Sequence, residues 1–248
     1  RQSYTILCEE IASQGYVVLS FDQPYVSNLV RFPDGSRVTL TFSDAWKVPR
    51  DRDFRYRYYD EAMDAAIQDF RFVLDHLPQI NTDNFSGQLK VKLVATMGHS
   101  FGGNVAHTFG FNDDRVSAIL DVDSKITERP IHGRIGVPPN IKGKPVLFVR
   151  ATKQYQDNVG DSLKKIENAE IKLYDVQHSA FHDNAFLVRH IPSMRETNML
   201  TKVWTWFFTT GPQFDPVDTD LGGVEVESWF RQLNRDLVLW LKQRFLSS

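Results

Sequence analysis

Residues 94–110, VATMGHSFGGNVAHTFG, run from an apolar strand pattern through a glycine-rich corner into a helical one. Ser100 sits at the corner, with Gly98 two residues before it and Gly102 two residues after. This is G-x-S-x-G set directly between a strand and a helix, the context that a nucleophile elbow requires. Such a turn is tight, so the side chains two residues to either side are expected to be minimal. A serine held there stands at the carboxyl end of a strand and at a helix N-terminus, where the dipole favours a developing oxyanion. The backbone N–H of Phe101 is the expected oxyanion donor. A glycine-rich strand-to-helix turn can also be plain α/β packing, but strand, turn and helix in register favour a nucleophile.

Outward from this corner the chain alternates. Residues 3–13 have Tyr4, Leu7, Cys8 and Ile11 at helical spacing, and Gly15 is expected to end that helix. "YVVLSFD" (16–22) reads as a buried strand and "LVRFPDGSRVTLTF" as a hairpin turning on Pro33-Asp34-Gly35. "DEAMDAAIQDFRFVLDHL" places Met63, Ile67, Phe70 and Leu74 on one stripe of a helix that Pro78 is expected to end. After the corner come a strand "RVSAILDVD", a strand "PVLFVRAT", a helix "DSLKKIENA" and a strand "EIKLYDV". The last segment carries Trp229, Leu233, Leu237, Trp240 and Leu241 along one face of a docking helix. Continuous apolar strands alternating with helices predict an α/β fold: one domain over residues 1–248, with a mostly parallel sheet covered by helices on both faces.

The composition agrees. The 248 residues are 42% hydrophobic and 24% charged, which suits one large core better than two small ones. Net charge is −2 and pI about 6.4, so no electrostatic footprint for nucleic acid is visible. A single cysteine, Cys8, excludes an internal disulfide and leaves the compartment open. No stretch reaches the roughly 18 apolar residues needed to span a bilayer. The chain opens on Arg1 in what reads as mid-element, so an upstream segment is expected and localisation stays unassigned.

A serine at its free pKa is a poor nucleophile and needs a base oriented by a carboxylate. In this strand-turn-helix setting the chain order is Ser, then Asp or Glu, then His. His76, His99 and His107 precede or crowd the corner, whereas His132, His178, His182 and His190 follow it. His178 alone comes just past a strand that would be last in the sheet, where a loop can reach back over Ser100. His182, four residues on, would make an H-x-x-x-H pair with it, but no third zinc ligand is evident. For the acid, Asp121 and Asp123 are two apart in one strand and share a sheet face, so periodicity does not choose. Asp123 lies nearer the carboxyl end, where sites in parallel sheets collect, and is preferred.

With "SYTILCEEIASQGYVVLSFDQPY", "RFPDG", "DFRFVLDHL", "GHSFGG", "LDVDS", "KPVLFV" and "HSAFHD" in this order, residues 3–188 resemble the platelet-activating-factor acetylhydrolase family. This is the plasma and intracellular type with its bacterial relatives, which are α/β-hydrolases. The resemblance implies a Ca²⁺-independent serine esterase, without cofactor, that cleaves short or oxidised acyl chains from the sn-2 position of phospholipids. Residue by residue it makes Ser100 the nucleophile, Asp123 the acid, His178 the base and Phe101 one oxyanion donor. The family's other donor lies in a glycine-rich loop just before "SYT". The oxyanion hole and the first strands of the sheet are therefore expected to be incomplete in the sequence given. Relatives often carry His where Gln23 stands.

A general carboxylesterase or polyester hydrolase would use the same triad, and an inactive α/β-hydrolase could serve as a binding module. The expected partner is a small ester or a phospholipid. Trp204, Trp206, Phe207 and Phe208 could touch a lipid surface, although a packed helix is the plainer reading. Oligomeric state is not legible.

Overall fold

The computed structural model describes residues 4–27, 29–39, 52–124, 143–152, 163, 166–190 and 224–245. The elements are α1 (Thr5–Ser13), β1 (Leu29–Arg31), β2 (Arg37–Thr39), α2 (Arg52–Phe85), β3 (Val94–His99), α3 (Phe101–Asn112), β4 (Val116–Val122), β5 (Val146–Ala151), β6 (Ala169–Tyr174), α4 (Asp183–His190) and α5 (Val226–Phe245). A one-turn 3-10 helix, His178–Phe181, follows β6. β3, β4, β5 and β6 form a parallel four-stranded sheet in that order, and β1 and β2 form an antiparallel hairpin. Every residue of β5 is buried, as are all but one of β4, the signature of inner parallel strands.

The chain divides into two compact units. One comprises Phe21–Phe148 and Asn158–Ile171 and holds the hairpin, α2, β3, α3 and β4. Here Met63 and Ala66 of α2 pack on Val105 of α3, with Tyr59, Ile67, Phe70 and Phe101 around them. Phe109, 1% exposed, extends this seam through its ring contact with Phe70. Fully burying side chains such as Met63 or Phe109 contributes about 1.5–3 kcal/mol each, so this seam fixes where α3 begins.

The other unit comprises Arg1–Ser20, Val149–Asp157 and Lys172–Ser248. Its centre is α5, whose apolar stripe Trp229, Leu233, Leu237, Trp240 and Leu241 is buried throughout. Tyr174 and Phe181 meet the Trp229 ring edge-on, and Phe245 of α5 meets Tyr16 beyond α1.

Two expectations fail. Pro78 does not end α2, which runs through it to Phe85. Proline removes one hydrogen bond from the ladder, and here its ring faces solvent while the turn is otherwise supported. The Thr82 hydroxyl donates to the Pro78 carbonyl at 3.1 Å, and Gln79 pairs with Asp83. The helix stops instead at Ser86 and Gly87, both in the left-handed region. Residues 16–22, expected as a strand, form no ladder among the described residues. Val17 and Leu19 remain over 40% exposed. β-branched composition reports fitness for a pleated surface, and a strand also needs a neighbour to bond. Of the helix expected at "DSLKKIENA", Leu163 is helical, residues 166–168 form a turn and Ala169 already opens β6, while the other residues lie outside those described, as do the aromatic run at 204–208 and His132. Among the described residues no helix is long and apolar enough to cross a membrane.

Candidate active site

The Ser100 corner is built by its neighbours' sterics. β3 ends at His99 and α3 begins at Phe101, so Ser100 alone makes the turn, at φ 56° and ψ −121°. That is a sparsely populated conformation for a residue with a Cβ, and such strain persists only where the surroundings over-determine it. The Ser100 N–H donates to the Val122 carbonyl at the end of β4 (2.9 Å), and its own carbonyl accepts the first helical bond, from Asn104 (3.2 Å). A Cβ on Gly98 would collide with the Gly102 carbonyl, which is why the residue two before the serine must be glycine. The residue two after is different. A Cβ on Gly102 would meet nothing within 4 Å, whereas one on Gly103 would lie 2.8 Å from Ser124 Cβ and 2.9 Å from Asp121 Oδ1. The expected small residue after the serine is thus compelled at Gly103, where α3 crosses β4.

Phe101 opens α3, so its N–H belongs to the group of first-turn donors that the helix itself cannot use. Its ring is held edge-on by Tyr59 at 4.9 Å, a phenol that burial keeps protonated above its ordinary range.

The two aspartates after the corner have different surroundings. Asp121, in β4 opposite Gly98, is fully buried. Its Oδ2 accepts from His107 Nδ1–H at 2.7 Å and from the Ser124 hydroxyl at 2.6 Å, and its Oδ1 accepts from the Ser124 N–H at 3.3 Å. Asp123, also fully buried, follows β4 with φ 48°. It lies directly after the residue that binds the Ser100 N–H, so serine and carboxylate leave adjacent strand ends. His99 and Asp123 bring a ring nitrogen and a carboxylate oxygen within 4.8 Å of one another.

His178 lies in the other unit, at the start of the 3-10 turn after β6. Bonds from both ends of the chain hold that turn. Trp229 Nε1–H of α5 donates to the Ala180 carbonyl at 2.9 Å, and the Asp183 carboxylate accepts from the Ile6 N–H in the first turn of α1 at 3.1 Å. His182, between them, stacks beside Tyr4 with its Nε2 3.4 Å from the Tyr4 hydroxyl. Burial, and secondarily the nearby His178, push the His182 imidazole down to about 4. It is therefore neutral near pH 7 and accepts from Tyr4, whose phenol burial and Asp183 keep protonated. His190 pairs with Glu227 at the surface, and His76 bonds its own helix backbone.

Sequence reasoning passed over His107 as merely crowding the corner. One signal was available: His107 follows Gly103 by four residues, so both lie on the face of α3 turned to β4. A polar residue on a face that must approach a strand closely calls for a buried partner, and Asp121 is that partner.

No family model matches the chain. A curated protein of Arthroderma benhamiae, a probable 1-alkyl-2-acetylglycerophosphocholine esterase, is 27% identical over 139 residues, which is 55% of this chain and 31% of that protein. The chain thus spans about a third of that relative's length. The solved structure of a ferulic acid esterase from Streptomyces cinnamoneus superposes with a TM-score of 0.69 at 23% identity, over 98% of this chain and 63% of the other. The fold is that of the α/β-hydrolases.

Proposed function

We propose that this chain, an α/β-hydrolase that resembles the platelet-activating-factor acetylhydrolase type, is a serine carboxylic-ester hydrolase with Ser100 as nucleophile. The observation that carries the reading is the Ser100 backbone, alone in a strained conformation between β3 and α3. Nothing in α/β packing requires that strain at a serine, whereas presenting a hydroxyl above a sheet does. The whole chain is read as one catalytic domain.

In this reading His178 accepts the Ser100 proton as Oγ attacks the ester carbonyl carbon. The carbonyl π electrons move to oxygen, and the Phe101 N–H stabilises that oxyanion at the positive end of α3. Collapse expels the alcohol, which takes the proton back from His178, and leaves an acyl group on Ser100. Water, deprotonated by His178, then attacks the acyl carbon, and as the acyl–oxygen bond to Ser100 breaks, His178 returns the proton to Ser100 Oγ and the acid product is released. Asp123 orients the imidazole and stabilises its charged form. Asp123 is preferred over Asp121 because Asp121 is already bound by His107 and Ser124.

For substrate we infer a phospholipid with a short or oxidised sn-2 acyl chain. The resemblance supports this, and so does the name of the relative of Arthroderma benhamiae. The test compares kcat/KM for 2-acetyl and 2-palmitoyl phosphatidylcholines and for an aryl acetate. The reading expects the 2-acetyl phospholipid to exceed the 2-palmitoyl one by at least about 100-fold, well beyond what one or two methylenes give. Comparable rates on aryl and phospholipid acetates, with no demand for a headgroup, would assign a general carboxylesterase instead.

A further inference from the structure

Resting on the triad reading above, we propose that Asp121 is a positioning residue: through Ser124 and His107 it locks the loop that presents Asp123 onto the helix that presents Ser100. Asp123 sits between Asp121 and Ser124 in the chain, and the Asp121 carboxylate spans it. One oxygen takes the Ser124 N–H at 3.3 Å, and the other takes the Ser124 hydroxyl at 2.6 Å. Asp123 between them stands at φ 48°, a region uncommon for L-residues although Asp enters it more readily than most, and the bridging carboxylate favours it there.

The second oxygen also takes His107 Nδ1–H at 2.7 Å, and His107 stands seven residues after Ser100 on α3. Asp121, His107 and Ser124 are each at most 1% exposed, so none of these bonds competes with water. Gly103 makes the approach possible, since any Cβ there would press on Ser124 and Asp121 together. The Ser100 N–H bond to Val122 ties the same two elements at the corner itself. Nucleophile and acid are thus referenced to one buried network, and a shift of the loop would misalign the carboxylate without touching substrate.

The test uses the full chain on an aryl acetate, with Ser124→Ala as the least disruptive variant and circular dichroism and Tm as folding controls. Removing one donor from Asp121 should loosen Asp123. The expected loss is about 10- to 100-fold in kcat with KM within about two-fold, since small misplacements of a catalytic group act on turnover. Asp123→Asn alone should cost about 10⁴-fold. In the Asp123→Asn background, Ser124→Ala should then cost less than about two-fold more, because a residue acting only through Asp123 has nothing left to position.

An equal loss in both backgrounds would overturn the proposal and leave Asp121 a packing element. So would an unchanged kcat for Ser124→Ala in the otherwise native chain. Near-native turnover by Asp123→Asn would overturn the triad assignment itself, and this proposal with it. Asp121→Asn serves as a second probe where it folds, and its loss should match that of Ser124→Ala in kind: kcat falls and KM holds.

Discussion

At the Ser100 corner the contacts that fix the glycine and the helix start lie within a few residues, and one bond comes from the neighbouring strand β4. Gly98 is fixed by Gly102, the turn by the Val122 carbonyl, and the helix start by Asn104. At the His178 turn they come from far along the chain, with Asp183 reaching Ile6 in α1 and Ala180 held by Trp229 in α5. A geometry set by local sterics leaves a local signature in the sequence. A geometry set by distant partners leaves only order and composition, so the place of a histidine after a strand suggests a base without fixing where its ring stands. The corner should therefore be intolerant of small local changes, and the turn should be sensitive to its remote anchors and to pH.

The largest effect belongs to the corner. Ser100→Ala should lower kcat by at least about 10³ while Tm holds, because the side chain serves chemistry and the turn is set by backbone. Retention of most esterase activity would break the comparison at its first term. Next comes a contrast between two glycines that the motif treats alike. Gly98→Ala puts a Cβ into backbone and should cost roughly 3 kcal/mol or more, or prevent folding, since overpacking against atoms that cannot move lies at the costly end. Gly102→Ala meets open space within a helix and should be neutral or stabilising by up to about 1 kcal/mol. Equal destabilisation of the two in a denaturant titration would show that the corner is not held by the Gly98 contact.

For the turn, His182 supplies the pH term. Its folded value of about 4 lies below the ordinary histidine value, so between those values the unfolded chain binds the extra proton. The stability it contributes is fully present above about pH 6.5 and is lost as pH falls toward 4, amounting to at most about 3 kcal/mol. Tm should drop over that window, and His182→Gln should flatten the drop. An unchanged slope in that variant would mean that another group carries the titration.

Much of the fold was legible because its strongest signals are periodic. The apolar runs of β4 and β5 predicted strands of a parallel sheet covered on both faces, and the Trp229–Leu241 stripe predicted a docked helix. Pro78 misled because a proline whose ring points to solvent costs one bond rather than a helix. Residues 16–22 misled because strand composition says nothing about whether a partner is present. The pair Asp121 and Asp123 marks the limit of period-two reasoning: β4 ends at Val122, so Asp123 lies beyond the strand in the left-handed region, while Asp121 stays in it and takes the bonds from His107 and Ser124.

The smallest expected effect is that of chelation. A base whose nitrogen must be free to take a proton cannot also ligate a metal, so exhaustive EDTA treatment should leave the rate unchanged. Loss of activity that added Zn²⁺ or Ca²⁺ restores would contradict the triad.

The central claim, that the strained corner exists to make Ser100 a nucleophile, is tested most directly by fluorophosphonate labelling followed by peptide mapping of the intact chain. The account predicts a single adduct, on Ser100, that is absent from Ser100→Ala and abolished when the native protein is first unfolded. An unlabelled Ser100 in a chain that still hydrolyses esters, or an adduct on another serine, would contradict it.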